Sequence, residues 1–395
     1  MGELSNNDTC LDLRILDLSD EKGMFCSKLL GDMGADVIRV EKPGGGSERN
    51  CGPFLDNMSD PERSLHFWYG NTSKRGITLD IERKDGQHVL RELAAHADVI
   101  VETFSPGYLA ERELDYEALS QLNPRLIVTS ITAFGQTGPY RNYKSCDLVA
   151  SALGGQMYVC GEAQGPPLRP YGEQSYLTAS LFGAIGTMLA VQQRHITGKG
   201  QWVDISMQEC VAAVVEPVNV RYLYEGIITK RQGARHWSDA FRIFPCQDGY
   251  ILISLFRRWD TLVEWLDSEG MANDLKDGVW RDEDIRRRRI DHVAEIIERW
   301  TQTHCVEELV EQAQLMRLPW ASVNSPGELL ENPQIVERGF FTKVEHPELN
   351  RSFKYPGSPY KFSRTPWRIS RRAPLIGEHN KEVICDELEL NDDYP

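Results

Sequence analysis

The cysteines and histidines of this sequence do not follow the spacing of a known metal-binding or catalytic motif. The nine cysteines form neither CxxC pairs nor the Cys/His spacing of a zinc site. His236, His346 and His379 lie in predicted loops with no serine or cysteine signature nearby. We therefore expect no bound metal, and we assign these histidines no catalytic role.

A glycine-rich loop is the next candidate for ligand binding. Residues 43–47 read Pro-Gly-Gly-Gly-Ser and follow a predicted strand, at the edge where open α/β sheets usually bind ligands. A triple glycine is more often only a flexible turn, and no GxGxxG opens the preceding helix. The loop alone therefore does not indicate a dinucleotide site.

Composition limits the partners of the chain. Its 395 residues, 41% of them hydrophobic, are enough for two domains with cores. A formal net charge of −15 argues against a nucleic-acid or membrane-surface partner, although it leaves room for a local basic pocket. We find no apolar run near the roughly 20 residues that span a bilayer and no apolar signal region at the N-terminus. With the scattered cysteines, this predicts a reduced, cytoplasmic compartment.

Strand and helix patterns alternate through the first half of the chain. Each apolar strand run is followed by an amphipathic or short helix before the next strand. This alternation predicts an α/β fold with a Rossmann-like, doubly wound parallel sheet. The predicted strands are 13–18, 36–41, 71–80, 97–102 and 125–131, and the helices between them are 25–33, 84–96 and 116–122.

One helix dominates the middle of the sequence. Residues 175–194 contain no proline, and small residues alternate with large apolar ones at helical spacing, which predicts a tightly packed, buried helix. The turn Thr-Gly-Lys-Gly at 197–200 ends it, and 201–206 alternates like a strand.

The pattern of predicted elements changes after residue 225. A helix at 208–224 leads to a hairpin at 240–254 and to charged helices at 259–269, 282–300 and 306–315. We place a smaller α+β domain at 226–325. The proline-rich residues 326–395 hold few regular elements and cannot form a core alone, so we assign them to the large domain with 1–225.

The motif R-x-x-TGKGQ-x-VDIS after the central helix resembles the class III coenzyme A transferases, the CaiB/BaiF family, which also contains α-methylacyl-CoA racemase. The resemblance extends through GADVIRVEKP, NTSKRGITLD, ADVIVETFSPG, NPRLIVTSITAFGQTGPY and a double glycine. It implies an enzyme that moves coenzyme A between carboxylic acids, with acyl-CoA as a substrate and no covalently bound cofactor. It also implies a large CoA-binding domain and an interlocked, intertwined dimer.

The family's nucleophile is an aspartate at the start of the central helix, and its place here falls on Tyr176. A phenol has a reference pKa near 10 and cannot form the acyl anhydride that a carboxylate forms. Glu173 is the nearby carboxylate, a weak substitute because the helix start fixes the geometry closely. The racemase needs a histidine where Cys146 stands, so proton shuttling at an α-carbon is disfavoured.

The resemblance also implies contacts to coenzyme A. Arg39, Lys74 and Lys144 match the family's basic positions, and Phe104 matches an aromatic position beside the cofactor. Each cation alone is more often an ordinary surface residue, but three matches in register favour binding. Core packing is the alternative for Phe104.

Several positions depart from the family's nucleotide pocket. Glu111 stands where an arginine is expected, with Arg112 next along, so phosphate binding needs a register shift of one residue. Asp20 and Glu21 occupy the loop where adenine contacts are expected. These acidic side chains put the affinity of the pocket for coenzyme A in question.

Three hypotheses follow for function. The first is the non-nucleophilic subunit of a heteromeric transferase, paired with an aspartate-bearing paralogue in a heterodimer or heterotetramer; aspartate-free subunits are known in the family. For this reading, succinyl-CoA and benzylsuccinate are the candidate substrates, and anaerobic breakdown of aromatic compounds is the setting. The second is a self-sufficient homodimeric enzyme that uses another carboxylate. The third is a CoA-binding or scaffold protein without catalysis.

Overall fold

The structure is a computed structural model that describes residues 10–236 and 241–390. The expectation that the N-terminus carries no signal region falls on residues 1–9, outside the described range. The strands are β1 (Arg14–Leu18), β2 (Asp36–Glu41), β3 (Lys74–Thr78), β4 (Val99–Glu102), β5 (Ile127–Thr132), β6 (Trp202–Ser206), β7 (Arg235–His236), β8 (Phe241–Pro245), β9 (Tyr250–Ser254), β10 (Ala321–Ser322), β11 (Phe341–His346) and β12 (Arg351–Pro356).

Helices connect these strands. They are α1 (Met24–Asp32), α2 (Leu65–Gly70), α3 (Lys84–Ala95), α4 (Tyr116–Leu122), α5 (Asp147–Leu153), α6 (Gln156–Val159), α7 (Gln174–Thr197), α8 (Met207–Val214), α9 (Val218–Glu225), α10 (Trp259–Ser268), α11 (Glu283–Arg288), α12 (Ile290–Thr301), α13 (Val306–Leu315) and α14 (Pro333–Glu337). Short 3₁₀ turns lie between several of them, and a π-helix spans Lys381–Glu387.

The first six strands form one parallel sheet in the order β3-β2-β1-β4-β5-β6. At its centre Leu16 of β1 lies opposite Ile38 of β2 and Ile100 of β4, and all three side chains are buried. Helices on both faces explain why the inner strands are buried along almost their whole length. The strand order reverses between β1 and β4, and open sheets bind ligands at the carboxyl ends of such strands. The predicted Rossmann-like α/β fold is confirmed.

The chain divides into two compact units. The first comprises Met1–Met157, Arg169–Ile228 and Glu337–Pro395, as far as these residues are described. The second comprises Tyr158–Leu168 and the described residues of Thr229–Val336. The second unit thus includes a segment before α7 that the sequence analysis placed in the large domain.

The smaller unit has its own core. Its antiparallel sheet has the order β10-β9-β8-β7, and helices α10, α12 and α13 contribute apolar side chains to one buried cluster. Trp280, Trp300 and Trp320 are fully buried there. The indole N–H of Trp300 donates to Glu269 at 2.6 Å, which satisfies a donor that would otherwise be buried without a partner.

Helix α7 differs from its prediction as a buried helix. Its small side packs on the sheet, where Gly183 lies so close to Ile131 that an added Cβ would stand 2.9 Å from the isoleucine Cδ1. Its large apolar side is exposed: Ile185 is 56% and Leu189 is 66% exposed. By length and composition alone α7 could cross a membrane, but half of its apolar window is buried within the protein, and a core helix can have the same length and composition.

Two predicted helices are each broken into two. The helix expected at 208–224 ends at Val214 and resumes at Val218, because Pro217 has no N–H to continue the helical hydrogen bonds. The helix expected at 282–300 is interrupted at Arg289, whose ψ of 31° is not helical. The tail also contains the hairpin of β11 and β12, which the sequence analysis did not predict.

The C-terminal tail covers the open edge of the large sheet. The backbone N–H of Gly76 in β3 donates to His379 Nδ1 at 3.1 Å, and that of Thr78 donates to Asn380 Oδ1 at 2.8 Å. The N–H of His379 returns a bond to the Gly76 carbonyl at 2.9 Å. An uncovered edge strand would be a template for pairing with other chains, so the tail completes the large unit.

The turn between α7 and β6 needs its glycines. Gly198 ends the helix with φ of 74°, and its N–H donates to the Arg194 carbonyl at 2.8 Å. Gly200 packs directly on the backbone before β5, where an added Cβ would lie 1.8 Å from the Leu126 carbonyl oxygen. The close approach allows β6 to join the sheet beside β5.

We expect Gly200→Ala to destabilise the large unit by about 1–3 kcal/mol, because the new methyl group must push backbone rather than a movable side chain. Urea unfolding measures the effect. Gly278→Ala is the matched control, since its Cβ would meet nothing within 4 Å. Equal stability of the two variants would contradict the close-packing argument.

Candidate active site

The site lies in the large unit, where the loops after β1, β2, β4 and β5 meet. Two hollows open there. One, which we call the Tyr176 cavity, has a volume of about 290 Å³ and is lined by Tyr176 together with the loops 103–106 and 141–146. The other, the acidic cleft, has a volume of about 670 Å³ and runs along the ends of β1, β2 and β3. Both are lined by Phe104 and Lys22.

The start of α7 is capped by a carboxylate from another helix. Asp147 at the start of α5 accepts from the backbone N–H groups of Ser175 and Tyr176, at 2.8 and 3.2 Å. The hydroxyl of Ser175 donates in return to the Asp147 carbonyl at 3.0 Å. The free N–H groups of a helix start attract anions, and here the protein supplies its own. Sequence reasoning missed this role of Asp147.

Tyr176 lines the cavity named after it and is 7% exposed. Burial, followed by the negative charge of Glu21, raises the pKa of this phenol above its ordinary value. The side chain is therefore neutral at physiological pH. A neutral phenol can donate a hydrogen bond to a ligand, but it is a poor nucleophile.

Two carboxylates stand near the start of α7. Glu173 is 44% exposed at its side chain, and its Oε2 lies 3.7 Å from His66 Nε2; it is not among the residues that line the Tyr176 cavity. Glu21 is half-buried, and its Oε2 has no hydrogen-bond partner among the described residues. Burial and the charge of Asp20 raise the pKa of Glu21. The charge of Glu21 thus acts on Tyr176, although Glu21 is not among the residues that line the two hollows.

The cations matched on β2 and β3 are buried in ion pairs. Lys74 is fully buried, and its Nζ donates to Asp17, to the Met24 carbonyl and to Asn71 at 2.8–2.9 Å. All three of its hydrogens are used, and burial lowers its pKa to about 8. Arg39 lines the acidic cleft but pairs with Glu48 and, at 3.3 Å, with Asp17.

An aromatic stack stands at the end of β4. The rings of Phe104 and Tyr108 are stacked with centroids 4.5 Å apart, and the Arg112 guanidinium lies 3.8 Å from the Tyr108 centroid. Arg112 also pairs with Glu82 at 2.6 Å. Glu111 is 78% exposed at its side chain. Arg112 is therefore paired within the chain, and also lies 3.7 Å from Glu111, but its buried Nε has no hydrogen-bond partner among the described residues.

The remaining matched positions lie on the loop before α5. Lys144 and Cys146 both line the Tyr176 cavity and are exposed. Asp20, at the other side, pairs with Lys22 and accepts from the Thr103 hydroxyl at 2.8 Å. The described residues contain no group of three or more side chains suited to hold a metal ion.

Comparison with known proteins identifies the family. A model of the family described as CoA-transferase family III matches residues 11–380. The chain belongs to CoA-transferase family III. It is 35% identical over 382 residues to the succinyl-CoA:(R)-benzylsuccinate CoA-transferase subunit BbsE of Thauera aromatica, which covers 94% of this chain and 93% of the relative.

Further relatives agree with this membership of CoA-transferase family III. The chain is 33% identical to a succinyl-CoA:mesaconate CoA-transferase of Haloarcula hispanica over 94% of this chain and 95% of that one. The crystal structure of a CaiB/BaiF family protein from Brucella suis superposes with a TM-score of 0.86 at 28% identity, covering 96% of this chain and all of the other. The resemblance inferred from the sequence is confirmed.

Glu102 is a further titratable group of this CoA-transferase family member, and it is buried next to Phe104 of the site. Glu102, at the end of β4, is 3% exposed and accepts from the Phe104 N–H at 2.7 Å. Burial raises its pKa to about 7, against the opposing hydrogen bonds from Ser130 and Phe104. The folded protein therefore holds a proton on Glu102 that the unfolded chain releases at lower pH.

The raised pKa of Glu102 makes stability pH-dependent. Between about pH 4.5 and 7 the folded state binds more protons than the unfolded state, so the free energy of unfolding falls as the pH rises. Glu102→Gln cannot titrate. We expect it to match the wild type near pH 4.5 and to exceed it at pH 8 by up to about 3 kcal/mol.

Urea unfolding at both pH values measures this difference. Glu117→Gln, on the exposed side of α4, is the control for replacing a carboxyl group by an amide. A wild type and Glu102→Gln with parallel pH profiles would show that Glu102 is ionised throughout.

Proposed function

We propose that this chain is the non-nucleophilic subunit of a class III CoA-transferase. Its partner is a paralogous chain that carries the aspartate. The observation that carries the proposal is the neutral phenol of Tyr176 at the start of α7, beside a helix start already capped by Asp147. The chain contributes the fold, and the paralogue contributes the covalent step.

The chemistry explains why the phenol matters. In the reaction proposed for the complex, a carboxylate of the paralogue attacks the acyl-CoA carbonyl, the C–S bond breaks, and an anhydride and a free thiolate result. The thiolate then attacks the enzyme carbonyl of the anhydride, releasing the first acid and forming an enzyme thioester. The carboxylate of the acceptor acid then attacks the enzyme thioester and releases the thiolate, which gives a second anhydride. The thiolate attacks the acceptor carbonyl of this anhydride, so the acceptor CoA ester leaves and the enzyme carboxylate is free again. A phenol at this position cannot form an anhydride, so this series of reaction steps cannot take place at the helix start of this chain.

The substrates follow from the relatives. We propose succinyl-CoA as donor and benzylsuccinate as acceptor, because the BbsE relative is named as a subunit of the enzyme for that pair. The mesaconate relative also uses succinyl-CoA by name. Anaerobic degradation of an aromatic compound in the cytoplasm is the setting that fits these acids.

Contacts to coenzyme A are proposed for residues that line the two hollows. Arg39 and Phe104 line the acidic cleft, and Lys144 lines the Tyr176 cavity. Arg112 stacks on Tyr108, which in turn stacks on Phe104, so it helps to hold the Phe104 ring in position. Lys74 acts on the site indirectly, by neutralising Asp17. We propose that residues 1–225 with 326–395 form the CoA-binding domain and that 226–325 form the smaller α+β domain.

A self-sufficient enzyme is the second candidate, and one observation favours it. The carboxylate of Glu21 raises the pKa of Tyr176, and one of its oxygens has no hydrogen-bond partner among the described residues. If this chain formed the acyl intermediate itself, hydroxylamine trapping after incubation with succinyl-CoA would modify Glu21 or Glu173. Mass spectrometry of the trapped peptide would separate this candidate from the first.

The silent-subunit proposal predicts a sharp contrast in activity. The purified chain alone should transfer no coenzyme A, because it lacks a nucleophile that can form an anhydride, whereas co-expression with its paralogue should give an active complex. In that complex Tyr176→Phe and Glu173→Gln should keep kcat within about twofold. Replacing the aspartate of the paralogue should abolish transfer, by at least about 10³-fold.

The readout is thioester exchange followed by chromatography of the CoA esters. Transfer by the pure chain, or loss of the complex's activity in Glu173→Gln, would contradict the proposal. Lys199→Gln, an exposed change in the turn after α7, is the control for non-specific effects.

We further propose that the chain forms an interlocked dimer, either with the paralogue in a heterodimer or heterotetramer or with itself. Exposed apolar side chains support this. Leu181, Ile185 and Leu189 form a stripe on α7 at 47%, 56% and 66% exposure, and Leu223 on α9 is 76% exposed. An exposed apolar stripe such as that on α7 is typical of protein–protein interfaces.

A charge in this stripe should weaken the assembly. We expect Leu189→Asp to lower the fraction of protein that assembles into the interlocked dimer as the chains fold, because an unpaired carboxylate would be buried in the interface. Analytical ultracentrifugation measures the mass. Leu315→Asp, at a 77% exposed position of the other unit, is the matched control. An unchanged mass of Leu189→Asp would show that α7 faces solvent in the assembly.

A further inference from the structure

Cys146 is a side chain that the proposed function does not use. It lies on the loop before α5, its thiol is free and exposed, and it lines the Tyr176 cavity. A buried cysteine is generally inert, whereas an exposed one at a cavity can meet a dissolved reagent. The thiol is therefore a candidate for chemistry outside the CoA-transfer reaction.

The cavity around this thiol carries positive charge. Lys22, Arg141 and Lys144 line it, and no carboxylate belongs to its described lining. Lys22 pairs with Asp20, whereas Arg141 and Lys144 are exposed and form no ion pair with the described residues. In a chain of net charge −15, such a hollow attracts anions locally. Reactive cysteines are typically found in positively charged, partly exposed surroundings of this kind.

The other exposed thiols have a different environment. Cys10 and Cys305 are the remaining exposed cysteines, and neither lines the Tyr176 cavity. Cys305 lies in the smaller unit beside Asp248, whose negative charge raises the pKa of the thiol. The thiolate is the attacking form of cysteine, and the carboxylate also repels an anionic reagent. An anion should therefore react at Cys146 in preference to Cys305.

One polar group in the cavity wall lacks a partner. Thr132 is 5% exposed and lines the cavity, and its hydroxyl oxygen has no hydrogen-bond partner among the described residues. Buried hydroxyl groups are nearly always paired. A polar group of a ligand held beside Cys146 would supply the missing partner.

The volume of the cavity limits the reagent. At about 290 Å³, it is at the lower end of the range for small-molecule sites. It admits the arm of a small thiol compound, and it is too small for a segment of another folded protein. The positive lining and the size together favour a small, anionic sulfur compound.

We propose that Cys146 is a modification site, at which a small disulfide bearing carboxylate or phosphate groups forms a reversible mixed disulfide. The thiol first loses its proton to solvent. The thiolate sulfur then attacks one sulfur of the disulfide, the S–S bond breaks, and the other half leaves as a thiolate. The disulfide itself is the oxidant, and an excess of free thiol reverses the reaction.

This modification goes beyond the proposed function, which gives Cys146 no part in CoA transfer. Two compounds share the required chemistry: glutathione disulfide carries carboxylates, and coenzyme A disulfide carries phosphates. In a reducing compartment such a bond forms only transiently, as redox-regulated disulfides do. The bound half occupies the cavity, so the modified chain admits no second ligand there.

Disulfide exchange on the reduced full chain tests the proposal with three reagents: glutathione disulfide, coenzyme A disulfide and cystamine, which is cationic. Peptide mass spectrometry follows the modification of each cysteine over time. We expect the anionic disulfides to modify Cys146 at least about tenfold faster than Cys305, because the cavity attracts them. With cystamine this ratio should fall at least about threefold, since the cavity repels a cation.

The two anionic reagents separate the sources. Faster reaction of one of them at Cys146 supports the site and identifies the compound that it prefers. A ratio near one between Cys146 and Cys305 with both anionic disulfides would overturn the proposal. The same ratio with cystamine as with the anionic reagents would also overturn it.

Exposed cations assign the effect to the cavity. Arg141→Gln and Lys144→Gln should each slow the reaction of Cys146 with glutathione disulfide about threefold and leave the reaction of Cys305 unchanged. Lys199→Gln, in the exposed turn after α7, is the control and should change neither rate. Unchanged rates in both cavity variants would show that the cations do not steer the reagent and would refute the site.

A reducing agent separates the mixed disulfide from other adducts. Dithiothreitol should release the bound half and restore the mass of the Cys146 peptide, because thiol exchange is reversible. An adduct that resists dithiothreitol would contradict the proposal. These measurements use neither CoA transfer nor the paralogue, so their outcome is independent of the silent-subunit proposal.

Discussion

One buried carboxylate joins four elements of the large unit. Asp17, at the end of β1, accepts from Lys74 on β3 and from the hydroxyl of Ser27 on α1, at 2.8 and 2.7 Å, and lies 3.3 Å from Arg39 on β2. Burial opposes its ionisation, but the charges of Lys74 and Arg39 outweigh that effect and lower its pKa to about 2. Removing Lys74 or Arg39 would leave the buried charge of Asp17 partly uncompensated, which is strongly destabilising. These contacts hold the end of β1 in place, and with it the start of the loop that carries Lys22 to both hollows.

Much of the fold is local in origin and was predictable for that reason. The bounds of β2 and α4 agree with the prediction residue for residue, because an apolar run or a capped helix is visible in neighbouring letters. Lys74 shows the limit. A lysine that binds a phosphate and one that neutralises Asp17, 57 residues away, look the same in a sequence. The cap from Asp147 and the exposed face of α7 depend likewise on distant or external partners.

The shape of the site and the charges within it have separate origins. The fold that creates the hollows is shared with the family's neighbour from Brucella suis, as the TM-score of 0.86 indicates. Within the hollows of this chain a buried phenol lies at the helix start, and the Arg39 guanidinium in the cleft is paired with Glu48. Backbone geometry depends mainly on buried apolar contacts, so the fold alone does not determine these polar side chains.

The attachment of the tail to β3 has a consequence for biosynthesis. Thr78 and Asn380, which bond across that edge, are 302 residues apart. At a translation rate of about 5–20 residues per second, β3 leaves the ribosome roughly 15–60 s before its cover is made. During that interval the strand is an open template on the nascent chain. Until the tail is made, the groups of β3 that it later covers lack their partners on His379 and Asn380.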